Sequence, residues 1–420
     1  MIVVFAHEEL SLKIGVPEAW QDRCVGDLFR AFAKRAAGRI DVSRGLTLST
    51  LAGEEVPLSA GIAEVFAGRS EVHLRVEAPR VRAAIVCQLR DASKRLESFV
   101  RYHVRLGFEK VYLYFDDCGE VDAISRARVL EGAVVTVRDR DLVARWRRLD
   151  AWAKLGPAAN DDVQVRQMLN ALDALGRARQ DGMHWLLHID SDELFYPGPA
   201  STSIASHFRA LDDSGCSIFT YYNFEAVPER SPVDEVDPFR AVSLFKRPLA
   251  LVPRDAPLDF WQNRAPNREV FLFYQNGKSA VRCSVDAVPT SVHLWALRPG
   301  AATTANFHRT NDPRNEGIRR DASVPCAVLH FACTDPVMLW RKYATLGDFP
   351  NDCVAQTLRH QPDTFHCLCR DVYLEHRADP DAGREAMRRL FEVHIMLDDP
   401  AEIERQQAAR VLERLTLIPF

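Results

Sequence analysis

Short apolar runs broken by turns fill the first 78 residues. Ile2–Phe5 and Leu10–Ile14 read as strands, the second with apolar residues at alternate positions. Val25, Leu28, Phe29, Phe32 and Ala36 then recur at helical spacing, and Gly38 is placed to end that helix. Leu46-Thr47-Leu48, a turn at Ala52-Gly53, Val56-Pro57-Leu58 and a last strand Val72–Val76 follow. Ala78-Pro79-Arg80 reads as a linker to a second region.

Beyond the linker, strands alternate with helices, which predicts an α/β sheet with parallel strands. Ala83–Leu89 is almost continuously apolar, as expected of a strand covered on both faces. Ser93 can cap a helix with Leu96, Phe99, Val100, His103 and Val104 on one face, and Gly107 can close it. Val111–Phe115 and Val134–Val137 are the next strands, joined by a helix around Ala123–Leu130. Val165, Met168, Leu169, Leu172 and Leu175 form the stripe of a longer helix near Val163–Arg177. It leads to a fourth strand, Trp185–Ile189. A further strand is predicted at Ser217–Tyr222, whereas 226–270, rich in Pro, Arg and Asp, reads as loops. The charged, amphipathic end of the chain predicts packing helices. The expected domains are 1–78, 79–380 and 381–420.

Composition narrows the field. With 54 basic and 58 acidic residues the formal net charge is -4, which gives no basic excess for a nucleic-acid partner. No stretch approaches the roughly 18 consecutive apolar residues of a membrane span. The run Met1–Ala6 lacks a preceding basic region and a cleavage site, so no signal peptide is expected. Ten cysteines are scattered without a CxxC pair, which predicts reduced thiols in a cytoplasmic setting.

The sharpest chemical signal is His188-Ile189-Asp190-Ser191-Asp192-Glu193. An apolar strand running into Asp-x-Asp sets two carboxylates at the carboxyl end of a sheet strand, where open α/β sheets bind ligands. Such a pair suits a hard divalent ion with positions left open for phosphate oxygens. The competing account is a solvated acidic turn.

Other stretches add context. Phe99–Asp117 joins a helix ending in Tyr102-His103, a Leu106-Gly107 turn and an aromatic strand reaching Asp116-Asp117. Arg166-Gln167 precedes the acidic motif; Asn276-Gly277-Lys278-Ser279, Val292-His293, Leu329-His330-Phe331 and Trp340-Arg341-Lys342-Tyr343 follow it. In order and spacing these resemble glycosyltransferase family 92 and its GT-A relatives, over roughly residues 82–350. The front region resembles the β-grasp fold of ubiquitin-like domains in its order of elements. The expected fold is therefore α/β: a GT-A, Rossmann-like nucleotide-diphospho-sugar transferase domain behind an N-terminal β-grasp domain.

The resemblance implies roles. Asp190 and Asp192 would bind Mn²⁺ (or Mg²⁺) and, through it, the diphosphate of a UDP-sugar, with His330 as a late metal ligand and His293 a weaker candidate. Asp116 or Asp117 would contact the nucleoside; Arg166, Gln167 and Lys342 would serve the donor's phosphates. Glu193 would brace the loop or take part in catalysis. Glu225, after the Ser217–Tyr222 strand, is the candidate general base of an inverting enzyme. Tyr221, Tyr222 and Trp295 could stack on sugar rings. Each has a plainer account: a core histidine, a surface cation, a strand-ending turn, a core aromatic. The chain departs from the family at Arg90-Asp91-Ala92-Ser93-Lys94, where an Asn-Glu or similar pair is expected, and in its front domain.

The function so implied is transfer of a hexose, galactose being one option, from a UDP-sugar to a hydroxyl of a glycan, protein or small molecule. One alternative is a lapsed transferase acting as a scaffold, with the β-grasp domain recruiting a protein partner. Another is a metal-dependent hydrolase that also uses paired acids.

Overall fold

The computed structural model describes residues 2–7, 10–20, 22–35, 47–52, 54–77, 81–91, 95–199, 203–230, 237–297, 318–319, 321, 323–349 and 363–419. Gly38, the Ala52-Gly53 turn at Gly53, the Ala78–Arg80 linker and the Ser93 cap lie outside them. The chain divides into two compact units, Met1–Arg80 and Val81–Phe420.

The first unit is a four-stranded sheet with a helix on it. Its strands are β1 (Ile2–His7), β2 (Leu10–Gly15), β3 (Thr47–Thr50) and β4 (Glu71–Glu77), in the order β2-β1-β4-β3. The central pair β1–β4 is parallel and the outer pairs are antiparallel. The helix Val25–Arg35 buries Leu28 and Phe32 against Val3, Phe5, Leu48 and Leu74. Phe5 and Phe32 stack with centroids 4.8 Å apart.

The second unit is a mixed α/β fold. Four strands are parallel, in the order β7-β6-β5-β8: β5 (Ala83–Leu89), β6 (Lys110–Phe115), β7 (Ala133–Val137) and β8 (Trp185–His188). All seven residues of β5 are buried, which fits its apolar run. The helix Leu96–Leu106 ends at Gly107, whose φ of 109° suits a residue without a Cβ. The helix Val163–Gln180 starts from Asp162, which accepts hydrogen bonds from the Gln164 and Val165 amides.

Past β8 the sheet turns antiparallel. The strand β9 (Glu193–Tyr196) follows the acidic turn, and β10 (Ile218–Ala226) is long enough to pair with several partners. These include β11 (Leu244–Lys246), β12 (Lys278–Arg282), the two-residue β15 (Ile318–Arg319) and β16 (Ala327–His330). β12 lies antiparallel to β8 and so joins the halves into one eleven-stranded sheet. A separate hairpin holds β13 (Ala287–Pro289) and β14 (Trp295–Leu297).

Two expectations are corrected here. Segment 226–270, read as loops, contains β11 and the helix Asp259–Arg264. The C-terminal segment supplies the helices Pro380–Leu390 and Pro400–Ala408, and also β17 (Leu412–Arg414), which extends the sheet beside β11. Three-residue strands carry too little alternation to stand out from a loop. Among the described residues, no helix is long and apolar enough to cross a membrane.

Candidate functional site

β8 delivers the acidic motif to the carboxyl end of the parallel strands. His188 pairs with Val86 of β5, and the Ile189 amide donates to the Val86 carbonyl (3.2 Å). The chain then turns through Asp190-Ser191-Asp192 into β9, which runs antiparallel to β16 with Glu193 opposite His330. The turn is braced from within. The Asp190 amide donates to Glu193 Oε2 (2.7 Å), and the Phe331 amide donates to the Asp192 carbonyl (2.8 Å).

The Tyr102-His103 pair holds the strand just beyond. Tyr102 donates its hydroxyl to the Phe195 carbonyl (2.8 Å), while His103 Nε2 accepts from the Phe195 amide (3.1 Å). His103 Nδ1 donates to the Phe99 carbonyl (2.8 Å), which fixes the neutral tautomer. Burial pushes its pKa down to about 3, so the ring stays neutral. These neighbours clamp both backbone groups of Phe195, two residues after the site.

Each carboxylate of the turn meets a lysine. Asp190 accepts from Gln167 Nε2 (2.8 Å) and from Lys278 Nζ (2.5 Å). Lys278 is wholly buried, 3.7 Å from Glu193 Oε2 and 3.3 Å from the Val292 carbonyl. Asp192 accepts from Lys342 Nζ (3.2 Å) and lies 3.7 Å from His330 Nε2. Burial alone would raise both aspartates. The lysine charges outweigh it, so Asp190 is held below the usual carboxylate range and Asp192 well below it. Arg95 adds to the positive potential at Asp192, and its Nη1 is buried without a hydrogen-bond partner among the described residues.

Glu193 is different. It is fully buried and burial pushes its pKa up to about 7, with Lys278 opposing and Asp190 adding to the rise. Tyr274 donates its hydroxyl to Glu193 Oε1, and the Tyr274 ring lies 4.4 Å from those of His293 and His330. His293 Nδ1 donates to the Gly277 carbonyl (2.9 Å), so that ring is committed to the loop.

Gly277 makes the approach of Lys278 feasible. A Cβ there would lie 1.9 Å from the Tyr221 carbonyl oxygen, and its φ is 70°. Only glycine lets this loop cross β10 closely enough to set Lys278 beneath Asp190.

Several expected site residues are placed elsewhere. Arg166 points both Nε and Nη2 at the Asp116 carboxylate (2.7 and 2.8 Å) and Nη1 at the Ala159 and Asn160 carbonyls. Its paired donors are thus consumed inside the protein, and Asp116 is buried with it. Asp117 is exposed and accepts from the Gly119 amide (2.7 Å). Glu225 is not at an open site. It is buried against Lys246 Nζ (2.6 Å) and accepts from the Leu272 and Phe273 amides. With those partners it has no access to an acceptor hydroxyl, which removes it as the base. Tyr221 is buried with its hydroxyl on His207 (2.8 Å), and Trp295 is a core residue; Tyr222 is half-buried.

Asp190, Asp192 and His330 are the donor set that a divalent ion would need. In favour, His330 is buried and its Nδ1 has no partner among the described residues. Against it, both aspartates already carry an ammonium group. Among the described residues no group of three or more His, Cys, Asp or Glu side chains is arranged to hold a metal ion. As arranged, Asp190, Asp192 and His330 do not fit Mn²⁺ or Mg²⁺.

Arg95, Tyr274 and the role of Lys278 escaped sequence reasoning. Lys278 was detectable in principle: a lysine opening an otherwise small and apolar strand, Lys278-Ser279-Ala280-Val281, must find an acid if that strand is buried. Arg95 sits in no motif and carries no such signal.

No family model matches the chain. It is similar to two glycosyltransferase-like proteins of Arabidopsis thaliana. One is 31% identical over 223 residues, 50% of this chain and 49% of its own length. The other is 26% identical over 223 residues, 50% of this chain and 43% of its own. Among solved structures, a CMP:2-keto-3-deoxy-manno-octonic acid synthetase complexed with CTP is 13% identical, with a TM-score of 0.20 over 35% of this chain and 53% of that one. A mycobacterial protein is 14% identical, with a TM-score of 0.27 over 67% and 74%. The chain spans about half the length of the curated relatives it matches, and over that half it is similar to proteins described as glycosyltransferase-like.

Proposed function

We propose that the Val81–Phe420 unit is a GT-A-type glycosyltransferase that moves a hexose from a UDP-sugar to a hydroxyl acceptor. The observation that carries this reading is the acidic turn at the end of β8, its aspartates paired with Lys278 and Lys342 and Asp192 further stabilised by the Arg95 charge. Ligands of open α/β sheets bind at the carboxyl ends of strands, and Asp190-Ser191-Asp192 lies there beside β5. The similarity to glycosyltransferase-like proteins supports the same assignment.

In the reaction, a bond forms between the acceptor oxygen and the sugar's anomeric carbon as the bond from that carbon to the phosphate oxygen breaks. The acceptor's proton passes to solvent water, and the diphosphate leaves with the electron pair. Cations at the turn stabilise that leaving group where its charge develops. Gln167 orients Asp190, and Asp117, the exposed member of its pair, is available to the nucleoside. We read the Met1–Arg80 unit as a β-grasp domain, on its parallel central pair and the helix joining the second and third strands.

The test is release of UDP from a panel of UDP-sugars, UDP-galactose included, with candidate hydroxyl acceptors. Acceptor-stimulated release that disappears in Asp190→Ala/Asp192→Ala supports the transferase. Nucleotide binding without turnover points to a lapsed transferase acting as a scaffold. Release as fast without acceptor as with it favours a hydrolase.

A further inference from the structure

We propose that Arg95 and Lys342 bind the donor's diphosphate directly, without a bridging divalent ion, while Lys278 is the permanent counter-charge of Asp190. This rests on the transferase reading above. Three observations carry it.

The first is that Lys278 cannot leave. Its side chain is wholly buried, it contacts Asp190 at 2.5 Å and Glu193 at 3.7 Å, and the Tyr274 ring covers it with its centroid 5.5 Å from Nζ. A metal on Asp190 would share one carboxylate, itself 24% exposed, with an ammonium that cannot move away, and the two like charges repel.

The second is that Lys342 can leave. Its side chain is 24% exposed and Asp192 is 15% exposed, so the pair faces solvent. Lys342 Nζ also donates to the Ala332 carbonyl (3.3 Å) and lies 4.8 Å from the Phe273 ring centroid. An arriving phosphate can take this ammonium from Asp192, because the pair keeps contact with solvent and the ammonium exchanges one anion for another.

The third is an unsatisfied donor. Arg95 Nη1 is buried and has no hydrogen-bond partner among the described residues, and the Arg95 charge helps to lower the pKa of the same Asp192. A guanidinium offers planar paired donors that match a phosphate. His330, opposite Glu193, is 1% exposed, and its Nδ1 has no partner among the described residues. Counted together, the charges of Lys278, Lys342 and Arg95 at least match those of Asp190, Asp192 and Glu193, the last held partly protonated near neutral pH by its burial. The diphosphate therefore meets a cluster without net negative charge, not a bare acidic pair.

The experiment is calorimetric titration of the full chain with UDP, in EDTA and in millimolar Mn²⁺. The expected result is equal affinity in both buffers, with a loss of about tenfold or more in Arg95→Gln and in Lys342→Met and retention in Lys342→Arg. Unchanged melting temperatures would show that the variants fold. Affinity raised about tenfold or more by Mn²⁺ would overturn the inference and leave the transferase reading standing. If UDP, GDP and CDP all fail to bind, the transferase reading falls, and inorganic pyrophosphate decides the cradle separately. Pyrophosphate bound in EDTA by the wild type but not by the variants upholds it; no pyrophosphate binding removes it.

Discussion

Two lysine–carboxylate pairs flank β16, and they differ in what surrounds them. Glu225, opposite His330 on one side, pairs with Lys246; their side chains are 3% and 2% exposed. Lys246 also donates to the Val270 carbonyl (2.9 Å) and lies 4.3 Å from the Trp261 ring centroid. Glu225 in turn accepts from two backbone amides. Asp192, just before β9 on the other side, pairs with Lys342 across partly exposed surface. The first pair is saturated and sealed, so it can only hold the fold. The second keeps solvent contact and unused capacity, which a ligand requires. Charge type does not separate architecture from function here; access and unfilled hydrogen bonds do.

The largest effect is expected at the sealed pair. Lys246→Met should cost about 3–5 kcal/mol, because it leaves Glu225 charged and buried without its partner. Guanidinium unfolding measures it. Glu225→Gln should behave as a milder version of the same lesion and, if it folds, retain turnover. A variant of full stability with turnover abolished would restore Glu225 as the base. Arg166→Met comes next, at about 3 kcal/mol, because Asp116 keeps one weaker partner: Arg138 lies 3.5 Å away and is 37% exposed. A loss clearly larger than at Lys246 would show that Arg138 gives no compensation.

Much of the parallel half could be read from residues alone. β5, β6 and β8 are apolar runs bounded by turn residues, and Gly107 ends its helix where a left-handed residue is needed. The acidic turn was legible for the same reason: an apolar strand ends abruptly in carboxylates. The antiparallel half was not, because β11, β15 and β17 are two or three residues long and depend on partners far away in sequence. Partner choice was equally hidden. Arg166 and Asp116 are 50 residues apart, as are many donor–acceptor pairs that never meet. Lys278 reaches Asp190 across 88 residues, only because Gly277 passes β10 at contact distance.

A smaller effect is expected at the clamp on β9. Tyr102→Phe removes one buried hydroxyl and leaves the Phe195 carbonyl unpaired, which should cost about 1–3 kcal/mol. The loss should appear in unfolding midpoints and not in the affinity for UDP. A change in affinity alone would mean that the clamp tunes the turn two residues upstream.

The smallest effect on stability, and the sharpest use of the comparison, is expected for Asp192→Asn. The substitution keeps the side chain's shape in a pair that retains solvent contact, so its unfolding cost should fall below that of breaking either sealed ion pair. The consequence for the ligand depends on what neutralises the diphosphate. If Arg95 and Lys342 bind it directly, freeing them from Asp192 leaves UDP affinity in EDTA equal to or tighter than wild type. Turnover still falls, because the two cations lose the anchor that positions them for the leaving group. If a metal ion bridges instead, the same change removes a ligand, and affinity in Mn²⁺ falls with turnover. Affinity in the two buffers, set beside the turnover rate, therefore tells a carboxylate that positions cations from one that coordinates a metal.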